Sequence, residues 1–285
     1  MAALAVVLIV VGIALYRGSG DPDFRMKGFP SSLSKDVVAT VEGYERREME
    51  GDSLKYFISA DRAVTFADDH QELENVLLRV MTPDGSASDE IRAQKAVYVP
   101  AEEKNFNVFF AGDVQINTRD RLAVTTENLT YQRSSDTAKA EEAVVFSRDN
   151  VRGSAIGAVV NAAAKRVELL NSVAIETLGP AQPDGPSFRP TLINASYAAY
   201  DQMQELIELT GGVHVRSAES VPAAEQFDVR ASRANATLAR LSQDKLDIQN
   251  VELFENVQIR SGVDTRMTSN YAMYRRPSER FEMTG

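Results

Sequence analysis

The sequence predicts an all-β repeat fold, and three observations carry that reading. A short motif recurs along most of the chain, apolar residues alternate with period two inside the recurring segments, and no long stretch after residue 30 sustains a helical apolar period. The motif runs small residue, two variable positions, apolar residue. It occurs at Ala60-Asp61-Arg62-Ala63, Ala93-Gln94-Lys95-Ala96, Thr126-Glu127-Asn128-Leu129, Gly157-Ala158-Val159-Val160, Ala195-Ser196-Tyr197-Ala198, Ala231-Ser232-Arg233-Ala234 and Ser269-Asn270-Tyr271-Ala272. An aromatic often follows, as at Tyr98, Tyr131, Tyr200 and Tyr274. Successive copies are 33, 33, 31, 38, 36 and 38 residues apart, too uneven for the fixed coil length of a strict solenoid.

Each copy precedes a second element that reads apolar-x-apolar, a turn-forming residue or pair, then Val-x-Val or Val-x-Ile. Phe106 to Ile116 (FNVFFAGDVQI) is the clearest case. Leu169 to Ile175, Leu206 to Val215 and Leu253 to Ile259 repeat it, and Leu73 to Val80 is a weaker copy. The Gly-Asp, Asn-Ser and Gly-Gly pairs tolerate positive φ, so they are expected to be turns between strands. Tyr56, Ile58 and Ala60 are expected on one face, as are Phe106, Val108 and Phe110, then Val114 and Ile116, as in half-buried strands. Ala155 to Val167 is Ala-rich but lies in register with the repeat and is read as strand.

The ends and the middle depart from the repeat. Met1 to Tyr16 has no charged side chain, and about 1.5 Å per residue makes it nearly long enough to span a bilayer core as a helix. No small-residue cleavage site ends the run and no basic segment precedes it, so residues 2–16 read as a membrane anchor rather than a signal peptide. Arg17, Arg25 and Lys27 follow it, a charge placement that taken alone argues against export of the rest. Residues 17–43 form a stalk. Thr177 to Pro190 holds four prolines and two glycines, so 178–190 reads as a linker between modules at 44–177 and 191–285. The second module is expected to stop in mid-repeat at Gly285.

Composition excludes several functions. A net charge of -10 repels nucleic-acid phosphates. The absence of cysteine removes disulfides, thiol nucleophiles and cysteine metal sites. There is no P-loop, no HExxH and no GxSxG, so no catalytic residue, metal site or cofactor is assigned. His70, after Asp68-Asp69, is expected in a solvated hairpin turn, and His214 at an outward strand position. Glu102-Glu103 and Glu141-Glu142 read as solvated rims. The Asn-x-Ser/Thr triplets at Asn128, Asn194 and Asn235 fall at different offsets in the repeat and read as chance.

The apolar run at 2–16, the segment Tyr56 to Ala63, and the recurring small-x-x-apolar-x-Tyr followed by Gly/Asn-x-Val strands resemble the LptC/LptA (OstA-like) family of lipopolysaccharide export. The resemblance covers Tyr44 to Ile175 and again Thr191 to Gly285, the first module similar to the membrane-anchored member and the second to the soluble bridge. It implies twisted, open β-jellyrolls. It also implies a role without chemistry: binding lipopolysaccharide or a related glycolipid and passing it across the periplasm from the inner membrane. The implied partners are that lipid, the membrane, an ABC transporter of permeases plus ATPase, and a bridge protein of the same fold joined by edge-strand addition. With alternation, the resemblance makes Tyr56, Ile58, Ala60, Val76, Leu78, Ile91, Phe106, Val108, Phe110, Val114, Ile116, Val144 and Phe146 the expected groove lining. The competing expectation is a structural β-solenoid or cell-envelope scaffold with a dry core.

Overall fold

The computed structural model describes residues 33–50, 53–82, 85–101, 105–119, 121–135, 137–148, 151–161, 163–177, 190–242, 245–275 and 280–285. The expected anchor at 2–16, most of the stalk, the linker at 178–189 and the Glu102-Glu103 pair lie outside them. Among the described residues no helix is long and apolar enough to cross a membrane.

The described chain is all-β, apart from a single 3-10 turn at Ala223–Glu225. Its strands are β1 (Val37–Glu50), β2 (Ser53–Phe66), β3 (Gln71–Met81), β4 (Ser88–Pro100), β5 (Phe106–Asn117), β6 (Ala123–Gln132), β7 (Thr137–Arg148), β8 (Val151–Asn161), β9 (Arg166–Thr177), β10 (Thr191–Ala195), β11 (Tyr197–Asp201), β12 (Leu206–Ser217), β13 (Phe227–Ser242), β14 (Lys245–Ser261), β15 (Thr265–Arg275) and β16 (Arg280–Thr284). The Ala-rich stretch from Ala155 is strand, as expected, through Asn161 and again from Arg166.

Two compact units divide the described residues. One holds 33–144 with Val159–Ala163, and the other holds Val145–Ala158 with Ala164–Gly285. In the first, β1 to β6 pair antiparallel in chain order. In the second, β9 pairs with both β10 and β11, which are two halves of one strand interrupted at Ser196, and β12 to β16 follow in order. Such local pairing keeps loop-closure costs low and suits a repeat protein.

The repeated motif has a physical meaning that simple alternation hides. Its first and fourth residues are both buried at Ala60/Ala63, Ala93/Ala96, Thr126/Leu129, Gly157/Val160, Ala195/Ala198 and Ala231/Ala234, while the two between them stay more exposed. A perfect period of two would turn the fourth residue outward. The partner strand supplies the correction. In β5, Gly112 (φ 76°) and Asp113 (φ 48°) separate buried Phe110 from buried Val114. In β12, Gly211 (φ 80°) and Gly212 (φ 85°) precede buried Val213, and in β14, Glu255 (φ 61°) and Asn256 (φ 54°) separate Leu253 from Val257. Register shifts fall at these points against both neighbours in β5 and β14, and in β12 against β13 and at the break between β10 and β11, so each of these strands carries one extra residue.

The Gly-Asp, Asn-Ser and Gly-Gly pairs are therefore not turns between strands, as alternation predicts. They lie within β5, β9 and β12. Positive φ serves a β-bulge, which bends the strand and resets which side chains face inward. The weaker copy in β3 has a single left-handed residue, Asn75 (φ 51°), and no register shift. Its side-chain amide donates to Asp61 on β2 at 2.8 Å.

Ser196 donates its hydroxyl to the Gly211 carbonyl at 2.6 Å, and its own amide N–H donates to the Thr210 carbonyl at 3.0 Å. A Cβ built on Gly211 would lie 2.4 Å from the Ser196 Cβ, whereas one on Gly212 meets nothing within 4 Å. Gly212→Ala should cost about 1 kcal/mol for its left-handed backbone alone. Gly211→Ala should cost about 2–3 kcal/mol, because steric conflict at the Ser196 break adds to the backbone term. Urea unfolding of the two variants measures the difference, and equal midpoints would refute the assigned close approach.

Candidate lipid-binding face

The first unit aligns its apolar residues into rows across the strands. Ile58 stands opposite Leu78, Leu78 opposite Ile91, Ile91 opposite Ile116 and Ile116 opposite Val124. Beyond the bulge a second row runs Ala63, Leu73, Ala96, Phe110 and Leu129. Directly opposed residues share a face, so both rows belong to the inward side. Tyr56 pairs with Val80 and Val108 with Tyr98 on that side. Facing branched and aromatic side chains contribute about 0.2–1 kcal/mol per pair relative to alanines.

Burial divides the expected lining in two. Ala60, Val76, Ile91, Phe110, Val114, Ile116, Val144 and Phe146 are buried, and Val114 has 0% exposure. Tyr56, Ile58, Leu78, Phe106 and Val108 are only partly buried and form the accessible part of the apolar face. Phe106 meets Tyr131 edge-on, with ring centroids 5.8 Å apart. Sequence reasoning misses Phe109. Strict alternation turns it outward with Asn107, yet it is 1% exposed and packs against Val97, Tyr98 and Val99. Two adjacent phenylalanines are both buried, and period-two reasoning assigns only one of them inward.

Arg46 is also missed. It sits on β1 opposite Ile58, in the first apolar row, where composition gives no warning of a cation. Its guanidinium hydrogen-bonds Tyr98 and lies near Tyr56 and Tyr44. Burial acts to lower its pKa, but the surrounding tyrosine oxygens outweigh burial and raise it.

The two histidines differ from each other. His70 is not in a solvated turn: it is 1% exposed, its ring stacks on Phe66 at 4.1 Å with planes 5° apart, and its Nδ1 contacts the Asp68 carboxylate. Because β2 continues to Phe66, the hairpin is tight enough to lay the imidazole back on its own strand. His214 is partly buried, with Nε2 2.8 Å from Asp228 Oδ2, and Arg230 Nε donates to the other Asp228 oxygen at 3.3 Å. Partial burial raises the Asp228 carboxyl, but His214 and Arg230 outweigh it and hold the group low. His214 and Arg230 border a concavity of about 610 Å³ in the second unit, lined also by Gly211, Gly212, Val213, Ala231 and Asn256 among others.

A model of the family described as lipopolysaccharide-assembly, LptC-related matches residues 2–177. The chain belongs to the LptC-related family. The match takes in the whole of β1 to β9, and with them every residue of the apolar rows. No curated protein gives a significant match to the chain. Membership of the LptC-related family fits a fold of antiparallel strands bent at regular bulges around an apolar face.

Asp68 ties the entry of β1 to the β2–β3 hairpin by accepting the Ser34 N–H at 2.8 Å. Partial burial raises its carboxyl, but the Ser34 donation and His70 outweigh that and hold it below its ordinary value. A carboxyl lowered in the folded state stabilises the tie above the unfolded pKa of about 3.9 and loses it as pH falls through the lower folded value. The Ser34 amide resonance should therefore shift on acidification below that range. Asp68→Ala should abolish the shift, and its persistence in the variant would assign the transition to another group.

Proposed function

We propose that this chain binds lipopolysaccharide or a related glycolipid and transfers it across the periplasm, as one link of a bridge driven by an ABC transporter. The observation that carries the reading is the continuous row Ile58–Leu78–Ile91–Ile116–Val124 inside a chain of the LptC-related family. Extracting an acyl chain of about twelve carbons into water costs roughly 10 kcal/mol, at ~0.8 kcal/mol per CH₂. A face that stays apolar from strand to strand removes most of that cost at each step.

In this reading residues 2–16 hold the chain in the inner membrane and 17–43 carry the rest into the periplasm. The module at 44–177 receives the lipid. The module at 191–285 is of the LptA type and extends the path. Acyl chains lie against Tyr56, Ile58, Leu78, Phe106 and Val108. Reaching the deeper residues Ala60, Val76, Ile91, Phe110, Val114, Ile116, Val144 and Phe146 requires the bent strands to open. The chain performs no chemistry. Permeases and an ATPase supply the lipid and the energy, and a bridge protein of the same fold adds strand to strand at a free edge.

Photo-reactive side chains at Ile58, Leu78 and Val108 should yield glycolipid adducts in cells, while those at Asn107 and Gln115 should yield few. Leu78→Glu should lower the glycolipid that co-purifies with the chain by about tenfold, since an unpaired carboxylate then faces the acyl chains. Adducts confined to Asn107 and Gln115, or a chain that purifies free of lipid, would favour a dry envelope scaffold.

A further inference from the structure

We infer that the chain fills the outer edge of its own β9, so that a glycolipid leaves the LptC-related segment along the same polypeptide and no separate bridge protein adds a strand there. The inference rests on the lipid-binding reading and names what occupies one edge of the path.

Strand addition needs an open edge. The strands of the matched segment follow one another in order from β1 to β9, so β1 and β9 are its two outermost strands. β9 is not open. Thr191 to Ala195 of β10 pair antiparallel with Val173 to Thr177, and Ala198 to Asp201 of β11 pair with Arg166 to Leu169. β10 and β11 are themselves covered on their far side by β12. β9 and all that follows it belong to one compact unit, and the family match ends inside that unit, at residue 177.

The fit at this edge is specific. β9 carries a left-handed residue at Ser172 (φ 52°). Leu170, Asn171 and Ser172 lie opposite only Ser196 and Tyr197, at the break between β10 and β11. A straight strand from another protein would lose its pairing on one side of that bulge. Side chains fasten the junction as well. Arg166 on β9 reaches the Tyr197 hydroxyl at 3.3 Å and Asp201 at 3.8 Å, both on β11, and the Thr177 hydroxyl accepts the Thr191 N–H at 3.1 Å. Residues 178–190 join the two sides covalently, and a short tether sets a local concentration on the order of millimolar. A separate protein at lower concentration does not displace strands held in that way.

The apolar rows cross the junction without a gap. Ile175 of β9 stands opposite Ile193, Ile193 opposite Val215, Val215 opposite Val229, Val229 opposite Ile259 and Ile259 opposite Met267. On the other side of the bulge a second row runs Leu169, Ala198, Leu209, Ala234 and Leu253. Ile175, Ile193, Val215 and Val229 are only partly buried, like Ile58 and Leu78 in the first unit. Acyl chains at β9 therefore meet a continuing oily surface on the same chain, with no polar side chain interrupting the row.

The test uses the full chain, which contains no cysteine. Ala174→Cys with Asn194→Cys places two thiols on directly opposed residues, within reach of a disulfide. On oxidation in cells the bond should form inside one chain, seen as a monomer that migrates faster without reductant. Disulfide-linked dimers would assign the β9 edge to a second copy and overturn the inference. Failure of this pair and of Glu176→Cys with Leu192→Cys, which are also opposed, would show the edge open and overturn it too. A photo-reactive side chain at Val215 should give glycolipid adducts in the locked chain, undiminished from the reduced one. Loss of those adducts on locking, with adducts at Ile58 kept, would mean that β9 opens to another protein, and would overturn the handover within the chain. Adducts at neither Ile58 nor Val215 would sink the lipid-binding reading, while the intrachain disulfide would still assign the edge.

Discussion

The structure depends on a mismatch of one residue. In the first unit β5, and in the second β12 and β14, count one residue more than the strands beside them, and the surplus sits at left-handed positions within the strand. Without that surplus, two outward residues between Ala93 and Ala96 would place the rest of β4 out of phase with β5, and half of each apolar row would face water. With it, a strand bends without losing its inward face. The sheet thereby keeps an oily side on both arms of the bend, which a flat strand of uninterrupted alternation does not provide.

The same constraint explains the chemistry of the conspicuous residues. Small side chains at Ala60, Ala63, Ala93 and Ala96 are buried on either side of the two outward positions of the motif. Glycines and the unbranched polar residues Asp113, Glu255 and Asn256 occupy the left-handed positions of the bulges, where a β-branched side chain would be strained. The outward face is held by polar links instead. Arg166 reaches Glu168 at 3.1 Å and Glu208 at 3.0 Å, while Tyr197 donates to Glu168 at 2.5 Å, so one network spans β9, β11 and β12. Individually such half-buried pairs contribute little, and their effect lies in joining three strands at once.

In the proposed reading, burial of hydrocarbon holds the ligand. It is non-directional and grows with area, so the rows supply affinity without fixing where along the path a lipid rests.

The sequence by itself determines that the chain is β-rich, where its repeats begin, and which residues are apolar in alternation. The rows through Ile58, Leu78 and Ile91 are legible because burial on one face imposes period two on the amino acids themselves. Tertiary structure alone decides how the arms meet. The pairs at Gly112-Asp113 and Gly211-Gly212 look like turns because positive φ is all that a local sequence records, and the same φ serves a bulge once a neighbouring strand continues past it. Phe109 and His70 are buried by their surroundings rather than by their own strand pattern. Arg46 belongs to the apolar side because the pairing of β1 with β2 sets it opposite Ile58, and no spacing along the chain encodes that register.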